Sequence, residues 1–144
     1  MQRTTRAPRL TRNGWHCSVT HSHQLVGVAI SNRGPIGLDV EHVRDITVDD
    51  MRGALTHSEL AHVRRQHPDD RVGEVFRSWG RKESIVKLTG EGVAAMPAYE
   101  VTTRSDNGFW TVQDASQGDT NYVVRDLSVH TGYVAAIAEY TPME

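Results

Sequence analysis

The sequence is poor in cysteine and has no long apolar run. Its 144 residues include a single cysteine, Cys17, so no disulfide can form within the chain and a cysteine-rich zinc site is excluded. No apolar run approaches the ~18 residues of a membrane-spanning helix, and the N-terminus lacks the apolar stretch of a secretory signal. These absences predict a soluble protein of a reducing, cytoplasmic compartment that does not attach to a membrane.

The sequence also lacks an excess of charge of either sign. Sixteen Lys and Arg and eighteen Asp and Glu leave a formal net charge of −2, which argues against binding nucleic acid through an overall positive field. Residues 1–16 are the exception, because they contain no acid and have arginine at every third position from Arg3 to Arg12. We interpret residues 1–16 as a basic N-terminal arm or linker, and residues 17–144 as one domain.

Strand patterns occupy both ends of this domain. Alternating apolar residues predict strands over 17–19, 25–31 and 36–41, which we expect to form a small meander. The same pattern returns after Gly92 and predicts strands over 99–103, 109–113, 122–126 and 133–140.

Helix patterns lie between these strands. Thr56 followed by Glu59 is a capping box and predicts a helix that continues to Pro68, preceded by a weaker helix over 48–55. A long helix with an apolar stripe is predicted from a cap at Asp69 or Asp70 until Gly90. The order of strands, helices and strands predicts an α+β fold with a mainly antiparallel sheet packed against the long helix.

Three carboxylates lie in otherwise apolar elements. Asp39 and Glu41 are two residues apart on a predicted strand and therefore share a face, with Leu38 and Val40 on the other. Glu83 lies on the apolar stripe of the long helix and is expected to point inward. Because buried, unpaired charges are costly, a cation should meet them, and an all-oxygen ligand set favours Mg²⁺ over zinc.

Two other interpretations of these side chains stay open. In the first, Glu83 pairs with Lys87 one helical turn later, and the two strand carboxylates lie in solvent. In the second, His21 and His23 are zinc ligands on a strand, and the strand carboxylates complete the site of a metal hydrolase.

Three blocks of sequence, in this order, resemble the signature blocks of the 4′-phosphopantetheinyl transferase superfamily. They are Ser-Val-Thr-His-Ser at 18–22, Gly-Leu-Asp-Val-Glu at 37–41, and the segment 79–87 with Trp79, Lys82, Glu83 and Lys87. Their order is that of the surfactin-synthetase-activating type. The resemblance implies transfer of the phosphopantetheine arm from coenzyme A to a serine of an acyl or peptidyl carrier protein, in polyketide, nonribosomal peptide or fatty acid biosynthesis, with release of adenosine 3′,5′-bisphosphate.

The resemblance also implies how the catalytic centre is divided among residues. Asp39, Glu41 and Glu83 would hold Mg²⁺, or Mn²⁺ in its place, and Glu83 would be the base for the serine proton. Lys87 would hold a phosphate, and Lys82 would ease departure of the leaving group.

A second group of residues is implied to bind coenzyme A. His21 would contact its 3′-phosphate, and Ser22, Thr20 and Lys87 would be further contacts of coenzyme A. The sequence departs from the family at Ser18 and Thr20, where Asn and Ser are usual, and at residues 6–8, where Arg-Ala-Pro stands in place of Gly-Lys-Pro. Arg6 is expected to supply the missing cation.

The largest departure from the family is length, because the surfactin-synthetase-activating type is a tandem of two similar halves. This chain holds roughly the second half with its linker, and so a single half-unit of the fold. The resemblance then predicts a homo-oligomer, a trimer as in the small holo-acyl-carrier-protein synthases. Two alternatives stay open: a domain of a larger polyketide or fatty-acid synthase, and a non-catalytic subunit that only binds the carrier protein.

Overall fold

The computed structural model describes residues 13–51 and 53–141; Arg6 and most of the basic arm lie outside these ranges. Within them the chain is α+β, as predicted. The elements in chain order are β1 (His16–Ser22), β2 (Leu25–Ser31), β3 (Ile36–His42), α1 (His57–Arg64), α2 (Arg71–Thr89), β4 (Tyr99–Arg104), β5 (Phe109–Asp114), β6 (Gly118–Leu127) and β7 (Tyr133–Tyr140).

Five of the strands form one antiparallel sheet in the order β3-β7-β6-β5-β4. The strands β1 and β2 form a separate antiparallel hairpin. The predicted meander is therefore wrong in its third strand, because β3 pairs with β7, placing Asp39 opposite Ala136. On its other edge β3 receives side-chain hydroxyls from β1, with Ser18 Oγ accepting the Leu38 N–H at 3.0 Å.

The helix boundaries follow the local signals except over 48–55 and at the end of α1, which stops at Arg64 and not at Pro68. The capping box is confirmed, since Thr56 accepts the Glu59 N–H and Glu59 accepts the Thr56 N–H. Gly90 ends α2 in the left-handed region at φ 78°. The predicted helix over 48–55 is wrong: a 3₁₀ turn, Val48–Met51, is found there, and Asp50 fixes it by accepting the Thr47 N–H at 2.8 Å. Neither described helix is long and apolar enough to cross a bilayer.

The core lies between α2 and the five-stranded sheet. A Cβ at Gly37 would be 1.9 Å from the Ser84 carbonyl oxygen, so the backbones of β3 and α2 approach in a way that only glycine permits. Small residues on β7, Ala136 and Ala138, are buried in the same layer. The remaining members of this core are Ile85, Val86, Leu88, Met96, Tyr99, Val101, Trp110, Val112 and Val124.

A buried arginine fixes the rotation of α2 about its own axis. Arg81 donates from Nε and Nη2 to both oxygens of Asp126 on β6, at 2.8 and 2.7 Å. Its Nη1 donates to Glu74 at 2.8 Å, and its guanidinium lies 3.9 Å from the centre of a Trp110 ring. Because such bidentate and stacked contacts are directional, they hold the opposite side of α2, with Glu83, toward β3.

Candidate functional site

The site is built around Asp39, which is 3% exposed on the face of β3 that meets α2. Lys87, near the end of α2, donates to Asp39 Oδ1 at 2.8 Å. The same ammonium donates to Thr20 Oγ1 at 3.1 Å and to the Leu38 carbonyl at 3.0 Å. A lysine has three N–H donors, so these contacts account for all of them. Lys87 thus joins β1, β3 and α2 at one point.

The second oxygen of Asp39 is in a different situation. Oδ2 is buried and has no hydrogen-bond partner in the described part of the chain. A Cβ built on Gly80 would lie 3.5 Å from it, so α2 passes over this oxygen with no side chain of its own. A buried carboxylate oxygen without a donor is unfavourable, and the site is suited to a cation at this oxygen.

Glu41 lies next to Asp39 and has an altered pKa. Its Oε1 accepts a hydrogen bond from Trp79 Nε1 at 3.1 Å. Burial, followed by the negative charge of Asp39, raises the pKa of Glu41 to about 9. Burial also raises the pKa of Asp39, although the Lys87 ammonium acts against it. Burial thus disfavours ionisation of both carboxyls, and the repulsion between their charges adds to this effect for Glu41.

Glu83 adds a third carboxyl from α2. It is 7% exposed, and burial followed by the charge of Asp39 raises its pKa to about 7, while Lys87 partly opposes the rise. The interpretation in which Glu83 pairs with Lys87 and the strand carboxylates lie in solvent is therefore wrong, because Asp39 is buried and is itself the partner of Lys87.

The residues fit a hard divalent cation. Every donor is an oxygen, one buried oxygen has no partner among the described residues, and burial followed by the charge of Asp39 raises the pKa values of Glu41 and Glu83, an effect that a bound cation would oppose. Among residues 13–51 and 53–141, no group of three or more acidic, histidine or cysteine side chains is placed so that it could hold a metal ion without substrate oxygens. Mg²⁺ keeps several waters and takes one or two carboxylates together with substrate phosphates, so the open pair Asp39 and Glu41 suits it.

The residues predicted to bind coenzyme A lie on two different faces of β1. Thr20 and Ser22 are buried, and their hydroxyls accept the N–H groups of Val40 and His42 at 3.1 and 2.9 Å. A ligand contact from either residue would have to replace or add to these bonds. His21, between them, is exposed on the opposite face of the strand. Arg6 lies outside the described residues.

The zinc-site interpretation does not match this placement. His21 faces away from the carboxylates, as the alternation along β1 requires. His23 lies in the turn between β1 and β2 at φ 50°, where its ring stacks on His42 with centroids 4.5 Å apart. The two histidines therefore do not share a face with Asp39.

Lys82 has a different partner from the one expected. Its ammonium is completely buried and donates to Glu59 Oε1 on α1 at 2.7 Å. The neighbouring residues Arg81 and Glu83 point to other elements, as successive positions on a helix must. Lys82 thus joins α1 to α2, and the expectation that it contacts a leaving group stays a prediction.

Two contributors were not predicted from the sequence. Trp79 was recognised only as part of a block, yet its indole N–H is the donor to Glu41. Gly80 leaves room above Asp39 Oδ2. A glycine inside a strong helical pattern is the signal that could have indicated such a close approach.

Comparison with known proteins shows the family of the chain. Residues 35–138 match the family model of the 4′-phosphopantetheinyl transferase superfamily. Over 92 residues, covering 63% of this chain and 41% of the relative, the chain is 26% identical to a 4′-phosphopantetheinyl transferase of Bacillus subtilis. It is 23% identical over 128 residues to the 4′-phosphopantetheinyl transferase ffp of Bacillus subtilis, covering 88% of this chain and 56% of the relative. A similar match to psf-1 of Bacillus pumilus covers 89% and 54%.

The matched segment contains β3 and α2, and with them Asp39, Glu41, Glu83 and Lys87. The chain spans about half the length of the curated relatives that it matches. The predicted family and the half-length relation to it are both confirmed. Since the family model covers more than half of the chain, the protein belongs to the 4′-phosphopantetheinyl transferase superfamily.

Proposed function

We propose that this chain transfers the 4′-phosphopantetheine group of coenzyme A to a serine of an acyl or peptidyl carrier protein. The bond that forms joins the serine oxygen to phosphorus, and the bond that breaks is the phosphorus–oxygen bond to adenosine 3′,5′-bisphosphate, which leaves with the electron pair. The observation that carries the proposal is the buried group Asp39, Glu41, Glu83 and Lys87, found in the segment that matches the family.

Glu83 is the proposed base. A general base is most effective when its pKa lies near the working pH, and burial together with Asp39 raises the pKa of Glu83 to about 7. The serine proton would pass to the Glu83 carboxylate as the serine oxygen attacks. Ionised Glu83 is available at and above neutral pH, so the rate should rise with pH through this value.

Asp39 and Glu41, with Glu83 as the third candidate, are the proposed ligands of Mg²⁺ or Mn²⁺. The chemistry that the ion supplies when bound is neutralisation of charge on the coenzyme A diphosphate. Asp39 Oδ2 has no donor among the described residues and is therefore able to bind the ion. The hydrogen bond from Trp79 Nε1 fixes the orientation of the Glu41 carboxyl beside it.

Lys87 is the proposed contact for a substrate phosphate. Its three donors are already engaged, so a phosphate must take over one of the contacts to Thr20, Leu38 or Asp39. His21, exposed on the hairpin, remains the candidate for the 3′-phosphate, since protonated imidazole can donate two hydrogen bonds.

We further propose that copies of this chain associate through the outer face of the β1–β2 hairpin. Three aliphatic side chains near the open end of this face are 38–64% exposed: Val19, Val28 and Ile30. His21 and Val26, which are paired at the turn end of the same face, lie outside the proposed contact, so His21 stays accessible. The occupant that fits is the same face of a second copy, because its alternating aliphatic side chains are complementary to themselves about a two-fold axis. A two-fold contact of this kind gives a dimer. The mass of the assembly distinguishes it from the trimer that the sequence predicts.

The assembly is tested by light scattering during size exclusion of wild type, Val28→Lys and Val129→Lys. Val129 is 43% exposed outside the hairpin and provides the matched control. Wild type and Val129→Lys should share an oligomeric mass, and Val28→Lys should give a monomer. A wild-type monomer at working concentration would overturn the association.

The transfer reaction is tested by incubating the chain with coenzyme A, Mg²⁺ and an apo carrier protein, followed by intact-mass spectrometry. The expected result is a mass gain of one phosphopantetheine on the carrier. Glu83→Gln should lower turnover by roughly 100-fold or more, and Glu139→Gln on β7 should leave it unchanged.

The competing hypothesis is a subunit that binds carrier proteins without modifying them. Carrier binding without any mass gain, across several carriers and with Mn²⁺ as well as Mg²⁺, would favour that hypothesis over transfer. Two observations favour the enzyme: Asp39 Oδ2 is buried without a hydrogen-bond partner among the described residues, and the pKa of the neighbouring Glu41 is raised to about 9.

A further inference from the structure

Three side-chain hydroxyls on β1 accept hydrogen bonds from the edge of β3 that does not pair with β7. Ser18, Thr20 and Ser22 lie at every second position and accept N–H groups from residues exactly twenty positions later, at 3.0, 3.1 and 2.9 Å. The three donors are the N–H groups of Leu38, Val40 and His42. Without these hydroxyls the donors on the buried edge of β3 would need other partners, so the series holds the hairpin in register against the sheet.

The middle hydroxyl, that of Thr20, makes two contacts that those of Ser18 and Ser22 do not make among the described hydrogen bonds. Thr20 Oγ1 also accepts a hydrogen bond from Lys87 Nζ at 3.1 Å and lies 3.5 Å from Asp39 Oδ1. A hydroxyl has two lone pairs and one proton. The lone pairs are occupied by Val40 and Lys87, so the proton is left to point toward Asp39.

We infer that Thr20 is a positioning residue for Asp39 and Lys87, an assignment that rests on the proposed function. Its hydroxyl holds the Lys87 ammonium against one oxygen of Asp39, and the other oxygen, Oδ2, is left free in a buried position. Thr20 is itself 4% exposed, and a Cβ at Gly27 would lie 3.1 Å from its methyl group. Gly27, the cross-strand partner of Thr20 on β2, thus leaves room for this methyl group, and a side chain there would press on it.

Ser18 differs from Thr20 because, among the described residues, its hydroxyl accepts only a backbone N–H group of β3. Ser18 accepts the Leu38 N–H, is 1% exposed, and has no contact with Asp39 or Lys87 among the described hydrogen bonds. Ser18→Ala thus removes one hydroxyl of the same series and is the matched control. A purely structural role predicts equal effects at both positions, and a positioning role predicts an effect at Thr20 alone.

The experiment compares wild type with Thr20→Val, Thr20→Ser and Ser18→Ala, all in the full chain. Mg²⁺ binding to the free protein is measured by titration calorimetry, without coenzyme A or a carrier protein. Thr20→Val should weaken Mg²⁺ binding by about tenfold, as removal of a residue that orients a ligand does. Thr20→Ser should restore it to within about twofold, and Ser18→Ala should leave it within the same range.

Transfer kinetics give the second measurement. Thr20→Val should lower kcat at saturating coenzyme A and raise the Mg²⁺ concentration needed for half-maximal rate, with Thr20→Ser again close to wild type. If Thr20→Val does not fold, Thr20→Ala replaces it, because alanine also removes the hydroxyl and is smaller than threonine.

The outcomes are distinct for this inference and for the proposed function. Three results would overturn the positioning role. They are an equal loss of Mg²⁺ affinity in Thr20→Val and Ser18→Ala, an unchanged affinity in Thr20→Val, and a wild-type protein that binds no Mg²⁺. Wild type that binds Mg²⁺ with the expected pattern of variants, but transfers nothing to any carrier, would overturn the proposed function and support the positioning role.

Discussion

Lys87 Nζ lies 2.8 Å from Asp39 Oδ1, and this ion pair joins the last turn of α2 to the centre of β3. The side chains are 14% and 5% exposed, so both charges are largely removed from water. Only one oxygen of the carboxylate is compensated, because Oδ2 has no partner in the described residues. The pair therefore stabilises the fold and at the same time leaves one ligand position open.

The first prediction concerns this pair. Lys87→Met should lower the free energy of unfolding by about 3 kcal/mol, because it leaves a buried carboxylate without its cation. The double variant Asp39→Asn/Lys87→Met should lose less than the sum of the two single losses, since neither partner is then left charged. Urea unfolding of the four proteins measures this coupling. Strictly additive losses would show that the two residues do not stabilise each other.

The second prediction concerns pH. The pKa of Glu41 is raised from its ordinary 4.5 to about 9, so between these values the folded protein keeps a proton that the unfolded chain has lost. Stability from this group is complete below about pH 4.5 and declines as the pH rises toward about 9. In EDTA, the Tm of wild type should fall across this range, and Glu41→Gln should flatten the fall.

Mg²⁺ provides the control for the pH experiment. Binding a cation requires ionised carboxylates, so the stabilisation by Mg²⁺ should grow with pH in wild type and be smaller in Glu41→Gln. Glu83 contributes a similar but smaller decline up to about pH 7 in both proteins, since its pKa is raised less. Parallel Tm curves for wild type and Glu41→Gln in EDTA would contradict the assignment to Glu41.

Local sequence patterns were sufficient for the parts of the fold that depend on near neighbours. The capping box at Thr56 and Glu59, the end of α2 at Gly90, and the shared face of Asp39 and Glu41 all follow from spacings of two to four residues. The same holds for the inward direction of Glu83, which follows from its place on the apolar stripe of the long helix.

Contacts between residues that are far apart in the sequence could not be predicted from local patterns. Lys82 and Glu59 are 23 positions apart, and nothing in either local pattern indicates that each is the other's partner. Thr20 and Lys87 are separated by 67 positions. The pairing of β3 with β7 instead of β2 has the same cause, because pairing between strands depends on the whole sheet and not on the pattern within one strand.

The third prediction concerns the close approach of β3 and α2. In Gly37→Ala the new Cβ would lie 1.9 Å from the Ser84 oxygen and 2.8 Å from the Leu88 nitrogen, both backbone atoms that cannot rotate away. We expect a loss of roughly 3 kcal/mol or more, at the upper end of overpacking effects. Gly53→Ala is the control, since a Cβ there meets nothing within 4 Å. Equal urea midpoints for the two variants would contradict the close approach.

The fourth prediction separates the structural role of Lys82 from a catalytic one. Lys82 is fully buried 2.7 Å from Glu59, so Lys82→Met should lower the free energy of unfolding by about 3 kcal/mol. The paired variant Glu59→Gln/Lys82→Met should recover part of this loss, because the remaining carboxylate is also removed.

Turnover per folded molecule then decides the role. If Lys82 only ties α1 to α2, the paired variant should keep kcat within a few fold of wild type at a temperature where both are folded, and Lys87→Met should lose much more. If Lys82 instead reaches the leaving group during the reaction, kcat should fall by roughly 100-fold in the paired variant despite its recovered stability, as loss of a proton donor does. The geometry of the Glu59 contact, which uses an oxygen at the buried start of α1, favours the first result.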